Sequence, residues 1–356
     1  FNLPQTWSPE VNSGLGGSVL PVIWSWPLNL AFGVGAKMGL DYAVLERLAV
    51  LSALILGGWG MMRLSGPLGA LVYLTNSFFI LLIDGGQISL ALAYGIMPWC
   101  IYLFRQKNIL KFALFALLLS ILDIRFVYFL ILLIGLDWIV FKKNILETLK
   151  IGLVTGVLLL GFHAYWLVPA VVNRGIALPL GYTFTSQLDF LSFANWKHAL
   201  FFQQPHWYEN IFGKIGKLHR EFVIFPILAL MSIYLYRKSR ETWYWSIVLG
   251  FAIFLAKGNT WPFGNIYTWL FTYLPGFNLF RDPVKFYFLI ALGYSVLIGQ
   301  IKNIKVMFLV SLVVLVFNWP VIFGKMTGTF SVPRFENEYK EINKTIESDS
   351  AWSRSL

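Results

Sequence analysis

Residues 151–172 read IGLVTGVLLLGFHAYWLVPAVV, with no Asp, Glu, Lys or Arg in the run. As a helix rising about 1.5 Å per residue, this stretch is long enough to cross the roughly 30 Å of hydrocarbon in a bilayer. Apolar runs of the same kind occupy residues 42–64, 67–83, 88–104, 109–122, 126–141, 222–236, 243–256, 283–299 and 305–323. The chain therefore reads as an all-α integral membrane protein, a polytopic helical bundle of about ten spans with long external loops. Residues 109–122 are short for a full crossing and suit a tilted or re-entrant piece.

Composition agrees. Of 356 residues, 58% are hydrophobic and 13% charged, whereas soluble domains carry about 25% charged residues. The mean hydropathy is +0.68. A net charge of +11 would suggest a nucleic-acid partner in a soluble protein. Here many Lys and Arg residues flank apolar runs, where they orient the chain and meet anionic headgroups, so membrane lipids are the expected partners and nucleic acid is not. The single cysteine, Cys100, excludes a disulfide within the chain.

Counted alternately, five loops share one side. They hold Arg63; Arg105, Lys107 and Lys111; Lys142, Lys143 and Lys150; Arg237, Lys238 and Arg240; and Lys302 and Lys305. That side is cytoplasmic by the positive-inside rule. The short loops opposite, 84–87 and 123–125, hold one basic residue, Arg125. Residues 1–41, 173–221, 257–282 and the tail beyond 324 then lie outside the cytoplasmic membrane. Residues 1–324 form the membrane domain, with 1–41 as its first external loop. Residues 325–356 are rich in Glu and Lys, and Tyr339, Ile342 and Ile346 make an i, i+3, i+7 stripe, so an external C-terminal domain is expected to begin there and be truncated. Phe1 is no initiator, and residues 1–39 lack a signal-peptide pattern, so one further helix is expected upstream. Ile266, Trp269, Leu270, Tyr273 and Leu274 have helical spacing; they predict a short amphipathic helix on the outer interface, either roofing a site or anchoring in an aromatic belt.

Several short patterns occur along the chain: Tyr73-Leu-Thr-Asn-Ser-Phe78, Asp84-Gly-Gly-Gln87, Ala93-Tyr-Gly-Ile-Met-Pro-Trp99, Tyr165-Trp-Leu-Val-Pro169, Leu255-Ala-Lys-Gly-Asn259, and Leu274-Pro-Gly-Phe277 through Arg281-Asp-Pro-Val-Lys-Phe286. Their order resembles the GT-C superfamily of polytopic membrane glycosyltransferases and, within it, the arabinofuranosyltransferase-like group. The resemblance covers most of the chain as scattered patterns. It implies a transferase that moves a sugar from a polyprenyl-phosphate donor to a glycan, lipid or protein acceptor outside the cytoplasmic membrane. It also implies an acidic base in the first external loop and basic residues in later external loops on the donor phosphate. The chain departs from the family at its start, where the first helix and the beginning of that loop are missing, which puts the base in doubt.

Transfer to a hydroxyl needs a carboxylate within hydrogen-bond reach and stabilisation of the departing phosphate. The acids of residues 1–41 are Glu10 and Asp41. Glu10 follows Trp7-Ser-Pro9, and Trp7 beside a carboxylate suits a sugar face with hydroxyls at its edge; the plain alternative is a solvated loop acid. Asp41 stands where it would cap the first span, and capping competes with catalysis. Arg281 and Lys285 are the phosphate candidates. If Pro283 opens a helix they straddle its N-terminus, where N–H groups favour an anion. Alternatively Arg281 pairs with Asp282 or reaches lipid headgroups. Asp84, Gln87, Asp123 and Arg125 sit in short loops that hold them near any cavity mouth, though Asp123 and Arg125 alternatively neutralise one another. His163 reads as a satisfied buried histidine, and Asp137 as the partner of Lys142. His198, His206, Glu209 and His219 share a loop without compact ligand spacing, so a divalent cation is permitted by the chemistry but not signalled. Walker, dinucleotide and nucleophile-elbow patterns are absent from the sequence. The competing class is a non-catalytic membrane protein: a transporter, a flippase or a scaffold subunit of an envelope complex.

The alternation of charge makes a direct prediction. In intact cells, a membrane-impermeant thiol reagent should label Asn210→Cys and spare Ser239→Cys; the reverse pattern would invert the orientation.

Overall fold

A computed structural model describes residues 7–8, 17–18, 20–142, 144–172, 184–203, 209–214, 218–326 and 337–348. The helices in chain order are α1 (Trp26–Lys37), α2 (Tyr42–Leu74), α3 (Ser77–Asp84), α4 (Ile88–Arg105), α5 (Ile109–Leu122), α6 (Arg125–Phe141), α7 (Ile145–Val172) and α8 (Phe184–Leu191). They continue as α9 (Trp196–Leu200), α10 (Ile224–Leu235), α11 (Arg240–Ala256), α12 (Gly264–Tyr273), α13 (Tyr287–Gly299), α14 (Ile304–Phe317), α15 (Trp319–Ile322) and α16 (Asn337–Ser348). Among the described residues, two antiparallel ladders of two residues each, Trp7–Ser8 with Gly17–Ser18 and Glu209–Asn210 with Gly213–Lys214, accompany the helices.

Among the described residues, three helices are long and apolar enough to cross a membrane: Tyr42–Leu74, Ile88–Arg105 and Ile145–Pro169. Ile109–Leu122, Pro283–Gly299 and Ile304–Phe317 are apolar but shorter. On α7, Leu153, Val157 and Leu160 are all more than 60% exposed, the arrangement expected where lipid rather than protein covers the helix.

The first two apolar runs meet at Gly66, whose φ of 84° and ψ of −176° are open to glycine alone. Pro67 restarts the helix there. The chain folds back, so that Tyr73 and Leu74 lie against Gly57. The second run, expected as one crossing over 67–83, is itself broken at Thr75–Asn76. Groups freed at that break are satisfied within the protein: Asn76 Oδ1 accepts from Phe79 N at 3.0 Å, the Tyr94 hydroxyl donates to the Tyr73 carbonyl at 2.6 Å, and Asn318 Nδ2 donates to the Thr75 carbonyl at 2.8 Å. An interrupted helix in an apolar bundle is tolerated only with such partners. Tyr73, Phe79 and Tyr94 stack around it, with Tyr73 and Tyr94 centroids 4.0 Å apart.

α2 and α4 approach closely because the residues between them are small. A Cβ placed on Gly95 would sit 2.6 Å from the Ala53 carbonyl oxygen. Ala53 and Gly57, one turn apart, leave the groove that α4 fills, a small-residue contact suited to helices in lipid. α13 is buried on every side between α2, α10 and α11. Its all-round apolar sequence is that of a central helix rather than an amphipathic one.

Charged groups sort to two ends. From its N-cap Gln87, α4 runs to Arg105, about 27 Å by the helical rise; α5 returns to its C-cap Asp123, and α6 runs back to Phe141. At the Arg105 end, Arg105 Nε lies 3.2 Å from Asp137 and Nη1 lies 2.6 Å from Glu241, with the guanidinium over Tyr244 at 5.1 Å. Lys107 meets Glu147 at 2.8 Å in the same quarter. Asp137 therefore pairs with Arg105 and not with Lys142, because the planar fork of Arg105 bridges α6 and α11 and a neighbouring lysine on its own chain end cannot.

Residues 173–221 were expected as an external loop. Within them, 195–203 packs into the core: Ala199 and Phe202 are buried, and the Ser77 and Tyr287 hydroxyls donate to the carbonyls of Phe202 and Gln203 at 2.7 and 2.9 Å.

Overpacking the α2–α4 contact tests the fold. Gly95→Leu should destabilise the protein by about 3 kcal/mol or more, lowering the Tm at which a thiol-reactive dye reaches buried Cys100 in detergent. Gly135→Leu, where a Cβ meets nothing within 4 Å, should leave it unchanged.

Candidate functional site

At the end opposite Arg105 lies a cavity of about 650 Å³. One wall is α1, a helix within the stretch read from sequence as a loop. Its Leu28, Phe32 and Ala36 face the space, with Trp24 and Ser25 just before it and Tyr42 just after. The signal for α1 was present: Pro27 sits in its first turn and an apolar run follows, which is where proline is favoured in a helix. The Gly, Asn and Trp content around it masked the pattern. The other wall is the pair of short loops leading into α4 and α6, which contribute Gln87, Ile88, Ser89, Leu90, Leu122, Asp123 and Arg125. Ser89 Oγ donates to the Leu122 carbonyl and ties the two loops together.

The polar wall is an ion-pair fork. Arg125 Nε donates to both Asp123 oxygens at 2.8 and 3.1 Å, Nη2 adds a further bond to Oδ2, and Arg125 N donates to Oδ1 at 2.9 Å. The Asp123 side chain is 6% exposed and that of Arg125 24%. Behind it, Lys285 Nζ donates to Gln87 Oε1 at 3.2 Å and lies 3.4 Å from Asp282 Oδ2. The two pairs are within electrostatic reach of each other. Two carboxylates and two cations make a formally neutral set. Such a set can sit beside apolar wall at modest cost, and each cation keeps donors for a further oxygen.

The sequence-predicted residues divide. Gln87, Asp123, Arg125 and Lys285 are brought together. Asp84 is half-buried at the end of α3, two residues before Gly86 on the cavity wall. Arg281 is exposed and pairs with no described side chain, whereas Lys285 turns inward. The helix start that was expected to favour an anion is taken: Pro283–Phe286 is a 3-10 turn whose N-cap, Asp282, accepts from Val284 N at 3.1 Å. The protein's own carboxylate therefore fills that position. Asp282 was not among the candidates; its place before Pro283 was the available cue. Asp41 does cap α2, accepting from Ala43 N at 2.7 Å, next to Tyr42 on the cavity wall. Glu10 lies outside the described residues, and Trp7 is described only in its backbone pairing with Ser18.

Residues 265–274, expected as a possible roof, do not line the cavity. α12 buries Tyr267 and Phe271 and turns Ile266, Trp269 and Tyr273 outward. His163 is buried and doubly bonded, to Ser120 Oγ at 2.8 Å and Trp166 Nε1 at 2.9 Å. His198 is taken up in the cap of α9 and His219 faces Glu221 at 3.0 Å.

Comparison with known proteins finds no matching family model, no matching curated sequence and no matching solved structure.

The fork should behave as a unit. Asp123→Asn or Arg125→Gln alone strands one charge and should cost about 3 kcal/mol. The double variant should recover most of that loss in thermal unfolding. Additive losses would show that the two groups act separately.

Proposed function

We propose that this chain is a multi-pass glycosyltransferase of the cytoplasmic membrane, GT-C-like in architecture, with a polyprenyl-phosphate-linked sugar as donor and a glycan, lipid or protein acceptor outside the membrane. The observation that carries this is the cavity of about 650 Å³, whose α1 wall sets Leu28, Phe32 and Ala36 beside the polar Asn29 and whose other wall holds the Asp123–Arg125 fork. A lipid-linked sugar phosphate is amphipathic in the same sense. Its chain needs apolar surface, its phosphate needs a cation, and its sugar needs hydrogen-bond partners.

The ten-crossing count belongs to this proposal. Short helices supplemented by 3-10 turns, as in Pro283–Gly299, make up the crossings beyond the three long helices. With the Arg105 end cytoplasmic, the cavity opens at the outer leaflet.

In the reaction the acceptor hydroxyl oxygen bonds to the sugar C1, the C1–O bond to phosphate breaks, and the polyprenyl phosphate leaves with the bonding pair. Arg125, with Lys285 behind it, offers donors to the charge that grows on the leaving phosphate. The hydroxyl proton passes to a carboxylate. Glu10 remains the assigned base, with Asp41, beside Tyr42 at the mouth, as the second candidate. One observation favours the binding-only reading of a flippase, transporter or scaffold subunit: the one carboxylate among the described lining residues, Asp123, is held by Arg125.

Purified protein in nanodiscs should bind a C55 polyprenyl phosphate. Arg125→Ala should weaken that binding on the order of a hundredfold, as expected for a charge-assisted contact in a partly desolvated site, and Arg281→Ala should change it little. Turnover of a glycosylated donor that survives both Glu10→Gln and Asp41→Asn would remove both acids from the base role; binding without turnover of any glycosyl lipid would favour the non-catalytic class.

A further inference from the structure

Trp24 was not singled out from the sequence, and it lines the cavity together with Gln87, Asp123 and Arg125. Its surroundings hold it still. The Tyr165 hydroxyl lies 2.7 Å from the Ile23 carbonyl oxygen and 3.2 Å from that of Trp24, so one donor fixes the backbone on which the indole is mounted. Trp26 packs on Tyr165 and Trp24 on Trp166, each with centroids 6.4 Å apart.

Trp166 is itself fixed by a directional chain. Its indole N–H can only donate, so His163 Nδ1 accepts at 2.9 Å and the His163 proton resides on Nε2. Nε2 then donates to Ser120 Oγ at 2.8 Å, and Ser120 donates to the Leu117 carbonyl at 2.7 Å. A histidine that is 2% exposed thus holds Trp166 through one ring nitrogen and is itself tied to Ser120 through the other, and the cavity tryptophan rests against Trp166. Aromatic side chains locked by supporting hydrogen bonds are what a preorganised binding surface requires.

We propose that Trp24 is the platform for the sugar ring of the ligand and a specificity-determining residue of the site, an inference that rests on the glycosyl-lipid function above. A sugar presents an apolar C–H face and a rim of hydroxyls. The indole matches the first. The Asp123 carboxylate, the Arg125 guanidinium and the Gln87 amide match the second, being acceptor, donor and both. A bare lipid phosphate would use Arg125 and the apolar wall and would have no need of a fixed indole. His163 and Trp166 are positioning residues for Trp24.

The test compares two kinds of probe on the full chain in nanodiscs: C55 polyprenyl phosphate, and its mannosyl, glucosyl and arabinofuranosyl esters. Wild type should bind at least one ester more tightly than the bare phosphate. Trp24→Ala should lower affinity for that ester about tenfold, the equivalent of one lost aromatic contact, and leave the bare phosphate within about twofold. Trp24→Phe should recover part of the preference. Trp166→Phe, which keeps a ring but removes the indole N–H, should give an intermediate loss confined to the ester. Equal loss for both probes would make Trp24 a lipid-tail or folding contact and overturn the proposal, as would unchanged affinity for both, or a wild type that prefers no ester. A wild type that binds neither probe would remove the glycosyl-lipid function itself, and the platform with it.

Discussion

Every backbone amide at membrane depth must find its partner inside the chain, because hydrocarbon offers none. This constraint shapes the bundle most visibly where it is nearly broken. The stop at Thr75–Asn76 would leave open carbonyls and N–H groups in an apolar core. Asn76, Tyr94 and Asn318 close them with side-chain bonds. The same rule accounts for residues 195–203, whose carbonyls are met by hydroxyls from α3 and α13. A helix that can stop and restart in the interior lets α3 and α4 bring Gln87 to the cavity. An unbroken helix through 67–83 would place that turn elsewhere.

Electrostatics follows the same economy of burial. The two ends each carry ion pairs, but they differ in kind. At the Arg105 end one guanidinium is stacked on aromatic rings and bridges two acids, joining three helices. Around Lys285 and Arg125, two pairs stand side by side with an open space in front of them. A network enclosed between helices holds them together; a neutral set facing a cavity is able to exchange a partner for a ligand oxygen. The proposed chemistry uses that difference.

α1 and α7 supply the remaining parts. α7 presents apolar side chains outward along most of its length, yet its last turns turn Tyr165 and Trp166 onto the segment that leads into α1. One helix thereby serves both as an exposed apolar surface and as the clamp on a cavity wall.

Composition, run length and charge alternation by themselves determined a helical chain with membrane-spanning segments, the break before Pro67, the short helix at 109–122, the cap at Asp41 and the helix near 265–274. These depend on hydrophobicity and on bonds between near neighbours, which a linear sequence records. They also placed Gln87, Asp123 and Arg125 in loops, and Lys285 at the start of an apolar run, on a common side. Only the tertiary structure decided which of them meet. Lys285 turns inward to Asp282 and Gln87 while Arg281 is exposed, Asp137 belongs to Arg105 because α4, α6 and α11 converge, and Trp24 packs on an aromatic partner more than a hundred residues away. Contacts across that distance are fixed by packing and by the pairing of buried polar groups, and neither leaves a local trace in the order of residues.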